Sequence, residues 1–163
     1  MMEKFQVIKG EKIEVQASSW AKYTNIKIKA DSDMFLPSFE IKDSAGADLK
    51  SSEDLILEPM KVRMVDAGFS CQIPHGFHAK ICARSSMGKR GIIIPNSPGI
   101  IDAGYLGRIC VLLLNLSDEP YEIKRGDRIA QWILENNISY SFESVAEFGK
   151  TERGNGGFGS TGK

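Results

Sequence analysis

Apolar and polar positions alternate in short runs along most of this chain, and few runs exceed eight residues. Val7-Ile8, Ile13-Glu14-Val15 and Ile26-Lys27-Ile28-Lys29 read as short strands. So do Leu55-Ile56-Leu57, Val62-Arg63-Met64-Val65, Phe69 to Ile73, Tyr121-Glu122-Ile123 and Arg128 to Leu134. Phe77, Ala79 and Ile81 alternate with His78, Lys80 and Cys82, a period of two that predicts a half-exposed strand. Ile109 to Leu116 is nearly all apolar and predicts a strand buried on both faces. No long stretch carries the helical period, and Ser141 to Phe148 admits at most a short helix or another strand. Many short strands at regular intervals predict an all-β barrel or sandwich.

Within residues 91–107 two apolar arms, Ile92 to Ile94 and Ile100 to Ile101, flank Pro95-Asn96-Ser97-Pro98-Gly99, whose prolines and glycine suit a tight reversal. The pattern predicts a hairpin. Asp102 and Tyr105 follow the second arm, a carboxylate able to act as a base and a flat ring. A slot between two strands, bounded by both, suits a small planar ligand. Asp102-Ala103-Gly104 is equally an ordinary turn sequence, in which an aspartate bonds its own backbone.

Other polar clusters punctuate the pattern. The small residues of Asp43 to Leu49 predict a loop that lets two backbones approach, beside a ligand or at a subunit contact. Arg84-Ser85-Ser86-Met87-Gly88 follows a strand and offers a guanidinium fork, two hydroxyls and N–H groups to an anion, or forms an ordinary polar turn. Arg153 to Gly162 holds five glycines with one arginine, one aromatic and two hydroxyls. Its composition suits a flexible linker, but also a lid that orders on a ligand, Arg153 reaching phosphates and Phe158 stacking on a base.

Composition narrows the partners. The 163 residues carry 21 Lys plus Arg against 21 Asp plus Glu, so no overall field holds nucleic acid or an anionic membrane, and phosphate binding must be local. The longest apolar runs are too short to cross a bilayer, and Met1 to Phe5 lacks the blocks of a signal peptide. The expected location is cytoplasmic, or nuclear or within a host cell for a eukaryotic or viral source. Cys71, Cys82 and Cys110 are odd in number and widely spaced, as suits reduced, packed thiols. His75 and His78 are three apart but have no third metal ligand nearby in sequence.

Five segments, in one order, resemble the five motifs of the homotrimeric dUTP pyrophosphatase (dUTPase) family. They are Ala45 to Leu49, Ala83 to Ser86, Asn96 to Gly107, Gly126 to Gln131 and Arg153 to Gly162. The resemblance implies a jelly-roll-like β fold, with residues 1–150 as one domain, residues 1–25 as an N-terminal extension and residues 151–163 as an arm closing the active site. It implies a homotrimer whose sites are shared between subunits, hydrolysing dUTP to dUMP and pyrophosphate with Mg²⁺. Such activity limits uracil in DNA and supplies the thymidylate precursor. A regulatory protein partner would be expected only of a viral member.

By the same resemblance, Asp102 is the general base for water attacking the α-phosphorus. Asn96, Gly99, Ile101, Tyr105 and Phe158 would hold uracil and deoxyribose. Arg84, Ser85, Ser86, Gly88, Gln131, Arg153, Gly157, Ser160 and Thr161 would hold the phosphates. Asp48 would meet Mg²⁺ through water or substrate. Two positions depart from the family pattern: Trp132 stands where an aliphatic residue is usual and could alter packing near a trimer axis or site wall, and Ser86 replaces the commoner glycine while still offering its N–H. The trimeric dCTP deaminases share the fold, but their catalytic glutamate, ten residues past the equivalent of Asp102, is Leu112 here. A non-catalytic regulator on the same scaffold is the remaining alternative.

Overall fold

The computed structural model describes residues 5–8, 11–14, 24–41 and 44–157. In chain order β1 spans Phe5–Ile8, β2 Glu11–Glu14, β3 Lys27–Ala30, β4 Ala47–Lys50, β5 Leu55–Leu57 and β6 Val62–Gln72. They are followed by β7 Phe77–Cys82, β8 Ile92–Ile93, β9 Gly99–Asp102, β10 Arg108–Asn115, β11 Tyr121–Ile123 and β12 Arg128–Asn136. A 3₁₀ turn covers Asp33–Phe35, and a single helical turn, α1, covers Ser85–Gly88. All strand pairs are antiparallel. Two four-stranded sheets, ordered β3-β6-β10-β8 and β4-β12-β7-β9, carry the fold, and β11 pairs with β5 as β1 does with β2. Strands distant in sequence are neighbours in both sheets, so the chain crosses repeatedly between them in a jelly-roll-like all-β architecture.

Alternation decides what each sheet buries. Val65, Ala67, Phe69 and Cys71 of β6 and Ile109, Val111 and Leu113 of β10 enter the core from one sheet; Leu49, Ala79, Ile81, Ala130 and Trp132 enter from the other. The layers meet where the Phe69 and Trp132 rings stand 6.2 Å apart, tilted by 56°. Trp132 is therefore part of this chain's own core. Burying each of the larger aliphatic and aromatic side chains of this core stabilises the fold by about 1.5–3 kcal/mol.

Several local expectations change. The two strands expected around Asp66 are one, β6, bent by a bulge at Gly68 with φ +79°. There the Asp66 carboxylate accepts the Gly68 N–H at 2.7 Å, and a Cβ on Gly68 would stand 2.5 Å from Phe35 Cγ. Only a glycine permits that approach. Strand β10 is fully buried on one face, but Cys110, Leu112 and Leu114 on the other are half-buried, because no second layer covers that side of the sheet among the described residues. The loop expected over Asp43 to Leu49 contains strand β4, and residues 141–148 form neither helix nor strand.

The largest difference lies in residues 91–107. Strand β8 pairs with β10, whereas β9 pairs with β7, so the two arms are edge strands of different sheets and not a hairpin. Pro95 and Pro98 interrupt any ladder between them by lacking N–H donors. Ile92, Ile94 and Gly99 are all buried, which anchors each arm in its own layer. An edge strand leaves alternate backbone N–H and C=O groups unpaired along its outer side. Breaking the hairpin thus exposes polar backbone that a paired hairpin would have consumed.

Candidate active site

One cluster of the expected site residues forms where β4, β12 and the end of β7 come together. Gln131 stands opposite Asp48 on one side and Cys82 on the other. Gly46 allows the approach, since a Cβ there would lie 3.3 Å from Gln131 Cβ. Asp48 is only 4% exposed, and its Oδ1 accepts Arg84 Nε at 2.9 Å while Oδ2 lies 3.3 Å from Arg128 Nη1. Arg128 also meets Glu40 at 2.7 Å. A buried carboxylate is tolerated only when paired in this way. Neither Arg128 nor Glu40 is among the expected site residues; Arg128 lies inside the Gly126 to Gln131 motif, whereas Glu40 carries no sequence signal.

Ser85 and Ser86 open α1, and Arg84 Nη1 reaches Ser86 Oγ at 3.4 Å. The Gly88 N–H donates to Arg84 O at 3.0 Å, closing the turn, and no other described residue stands within 4 Å of where its Cβ would be. Arg84, Ser86 and Arg128 line a cleft of about 290 Å³ together with Arg90, Tyr121 and Asp127.

The second cluster lies at the other end of β7. Asp102 ends β9 opposite His78, exposed, and its carboxylate has no partner among the described residues. The Tyr105 N–H donates to Asp102 O at 3.1 Å, which turns the chain, and the Tyr105 hydroxyl donates to Arg108 O at 2.8 Å. The ring is folded over Gly107, where a Cβ would stand 2.6 Å from the phenolic oxygen. A Cβ on Gly99 would lie 3.4 Å from Asn96 Nδ2, so the Asn96 amide sits beside the start of β9. Ile101 turns inward and packs against the core.

These two clusters are not adjacent. Arg84 lies six residues beyond His78 along the chain, roughly 20 Å at the ~3.3 Å rise of a strand. That is far longer than a triphosphate. Arg153 belongs to neither cluster: its Nε donates to Gly156 O at 2.9 Å, and Gly157 is half-buried. Phe158, Ser160 and Thr161 lie outside the described residues.

His78 bonds Asn137 at 2.6 Å through Nδ1, with Glu135 3.8 Å from Nε2, and no group of three or more metal-ligating side chains occurs among the described residues. The three cysteines are free thiols, and burial pushes Cys71 up to about 11. No helix among the described residues is long and apolar enough to cross a membrane.

A family model for dUTPase matches residues 33–162. The chain is 47% identical over 127 residues to the deoxyuridine 5'-triphosphate nucleotidohydrolase of Zymomonas mobilis, covering 77% of this chain and 87% of that protein. It is 41% identical over 136 residues to the protein of the same name from Nautilia profundicola, covering 83% and 96%. Among solved structures, the Staphylococcus bacteriophage 80alpha dUTPase with dUPNHPP matches with a TM-score of 0.77 at 26% identity, covering 86% of this chain and 100% of that one.

Proposed function

This chain belongs to the dUTPase family and hydrolyses dUTP, and from that premise we propose how its residues divide the reaction. The observation that carries the assignment is the exposed Asp102 carboxylate at the end of β9, without a partner among the described residues and three residues before a tyrosine ring locked over Gly107. Asp102 takes a proton from a water molecule as its oxygen forms a bond to the α-phosphorus. The bond from that phosphorus to the bridging oxygen breaks, and pyrophosphate leaves with the electron pair. No residue becomes covalently attached.

Uracil enters the slot beside β9. Backbone groups near Gly99 and Ile101 and the Asn96 amide meet its acceptor–donor–acceptor edge, which cytosine cannot match without leaving buried groups unpaired. Tyr105 packs under the sugar and leaves no room for a 2′-hydroxyl. Arg84, Ser85, Ser86, Gly88 and Gln131 receive the phosphates, and the arm adds Arg153, Gly157, Phe158, Ser160 and Thr161.

Mg²⁺ fits this donor set as an ion carried mainly by substrate oxygens and water. Asp48 is the carboxylate nearest the phosphate residues, and its two arginine contacts leave lone pairs for a bridging water. When bound, the ion neutralises triphosphate charge.

The separation of the two clusters supports a site completed by different copies of the chain, in a homotrimer. A second feature agrees. Val62 and Met64 face Leu114 and Leu112 across the strand pair, and Ile93 continues the band on β8. Met64 is 66% exposed and Val62 51%, an apolar face of the kind that subunits cover. The test is pyrophosphate release from dUTP, dCTP, dTTP and UTP with Mg²⁺, with Asp102→Asn alongside. Turnover of dUTP alone, lost in the variant, is expected; retained turnover in Asp102→Asn would remove the base assignment.

A further inference from the structure

The cleft that holds Arg84 and Ser86 contains a cation to which the preceding assignment gives no part. Three guanidinium groups line it, from Arg84, Arg90 and Arg128. Two of them are already neutralised: Arg84 by Asp48, and Arg128 by Asp48 and Glu40. Arg90 has no carboxylate within ion-pair distance among the described residues, although Glu122 and Asp127 line the same cleft. Glu122 instead pairs with Lys124 at 2.6 Å, and Asp127 accepts the Lys124 N–H at 2.8 Å.

Arg90 is nevertheless held. Its guanidinium carbon stands 5.8 Å from the centre of the Tyr121 ring, and Nη1 donates to the Tyr121 hydroxyl at 3.4 Å. That hydroxyl lies 3.5 Å from Met87 Sδ, and Tyr121 is fixed in β11 opposite Leu57. The Arg90 backbone is tied down as well, its N–H donating to Met87 O at 2.9 Å. A cation with no counter-ion among the described residues, oriented by an aromatic shelf, keeps most of its five N–H donors for an anion.

We propose that Arg90, positioned by Tyr121, is a further substrate-binding residue that grips the β,γ-diphosphate end of dUTP and the pyrophosphate product. The inference rests on the phosphate reading of this cleft. Ser86 and Arg84 mark the inner part of the cleft, next to Asp48, and Arg90 lies beyond α1 on the side of Tyr121. A group there senses whether the nucleotide has a diphosphate tail, and has no reach to the base. A guanidinium makes charge-assisted hydrogen bonds to phosphate, so its removal is felt in binding of the tail rather than in the chemical step.

Calorimetry with Mg²⁺ tests this on the assembled enzyme, using α,β-imido-dUTP, inorganic pyrophosphate and dUMP as probes. Arg90→Gln should weaken the imido analogue and pyrophosphate about tenfold and change dUMP less than twofold. It should raise KM with kcat nearly unchanged, while Arg90→Lys recovers part of the loss. Ser86→Glu, which places a negative charge in the same cleft, reports whether phosphate binds there at all. If Ser86→Glu weakens pyrophosphate and Arg90→Gln does not, Arg90 has no such role. If neither weakens it, phosphate does not occupy this cleft at all. Equal loss of dUMP binding, or a change in assembly mass with Arg90→Gln, would make the residue structural and overturn the proposal.

Discussion

The ring of Tyr105 lies across Gly107 so closely that a Cβ on the glycine would stand 2.6 Å from the phenolic oxygen and 2.7 Å from Cζ. With the hydroxyl donating to Arg108 O at 2.8 Å, the ring is fixed at both its face and its tip. Gly107→Ala should therefore swing the ring away and narrow the discrimination between dUTP and UTP, as Tyr105→Ala should. Gly104→Ala, where nothing stands within 4 Å of the added methyl, is the control and should leave kcat/KM within about twofold. Unchanged discrimination in Gly107→Ala would show that ring placement does not select the sugar.

Two inactive chains should rescue one another. Asp102 belongs to one end of β7 and Ser86 to the other, so a site completed between subunits can draw its base from one chain and its phosphate grip from another. Asp102→Asn and Ser86→Glu chains, co-expressed with different tags and purified through both, should release pyrophosphate at a rate neither homo-oligomer reaches. Absence of rescue in verified mixed assemblies would place the whole site within one chain.

Asp48 anchors a buried ion-pair cluster, apart from the Mg²⁺ role proposed for it. Its carboxylate is 5% exposed and paired with two arginines, so Asp48→Asn leaves Arg84 without its main partner in a half-buried setting. Breaking such a pair should cost about 3 kcal/mol, seen as a lower denaturant midpoint at constant slope. A loss below about 0.5 kcal/mol would mean that solvent replaces the pair.

The pH dependence of stability has one identified source at the bulge. Hydrogen bonds from Arg108 hold the Asp31 carboxyl below its ordinary value, helped by the charges of Arg108, Arg125 and Lys29. A depressed folded value means that the contribution is complete above the unfolded value near pH 4 and fades as pH falls through the lower folded one. The stability difference between the natural chain and Asp31→Asn should be flat from pH 5 to 7 and shrink below pH 4. A difference that grows on acidification would reverse the sign and refute the assignment.

Cys71 should resist alkylation. Its buried thiol is pushed up to about 11, so almost no thiolate exists at pH 8 in the folded protein. Iodoacetamide mapped by mass spectrometry should label Cys82, which is half-exposed, well before Cys71. Early labelling of Cys71 would indicate that β6 opens locally.

Much of this protein is decided by local pattern. Period-two alternation was sufficient for β7 and for the inward face of β6, because a strand's side chains must alternate whatever lies around it. The five segments were enough to point to the family, and the family match over residues 33–162 agrees. Other features depend on partners distant in sequence, which no local window contains. Asp66-Ala67-Gly68 has the composition of a turn, yet β6 runs through it as a bulged strand, paired with β3 and β10 and with the Phe35 ring packed against Gly68. Glu40 gained its place through Arg128, and Arg90 through Tyr121. The arms of residues 91–107 look like a hairpin by composition, yet β8 and β9 join different sheets because each has a longer partner strand and a core face to cover. The sequence by itself settled which chemical groups the protein carries and in what order. Only the tertiary structure decided that Asp102 and Arg84 stand at opposite ends of β7, because that distance is set by strand pairing between residues far apart in the chain.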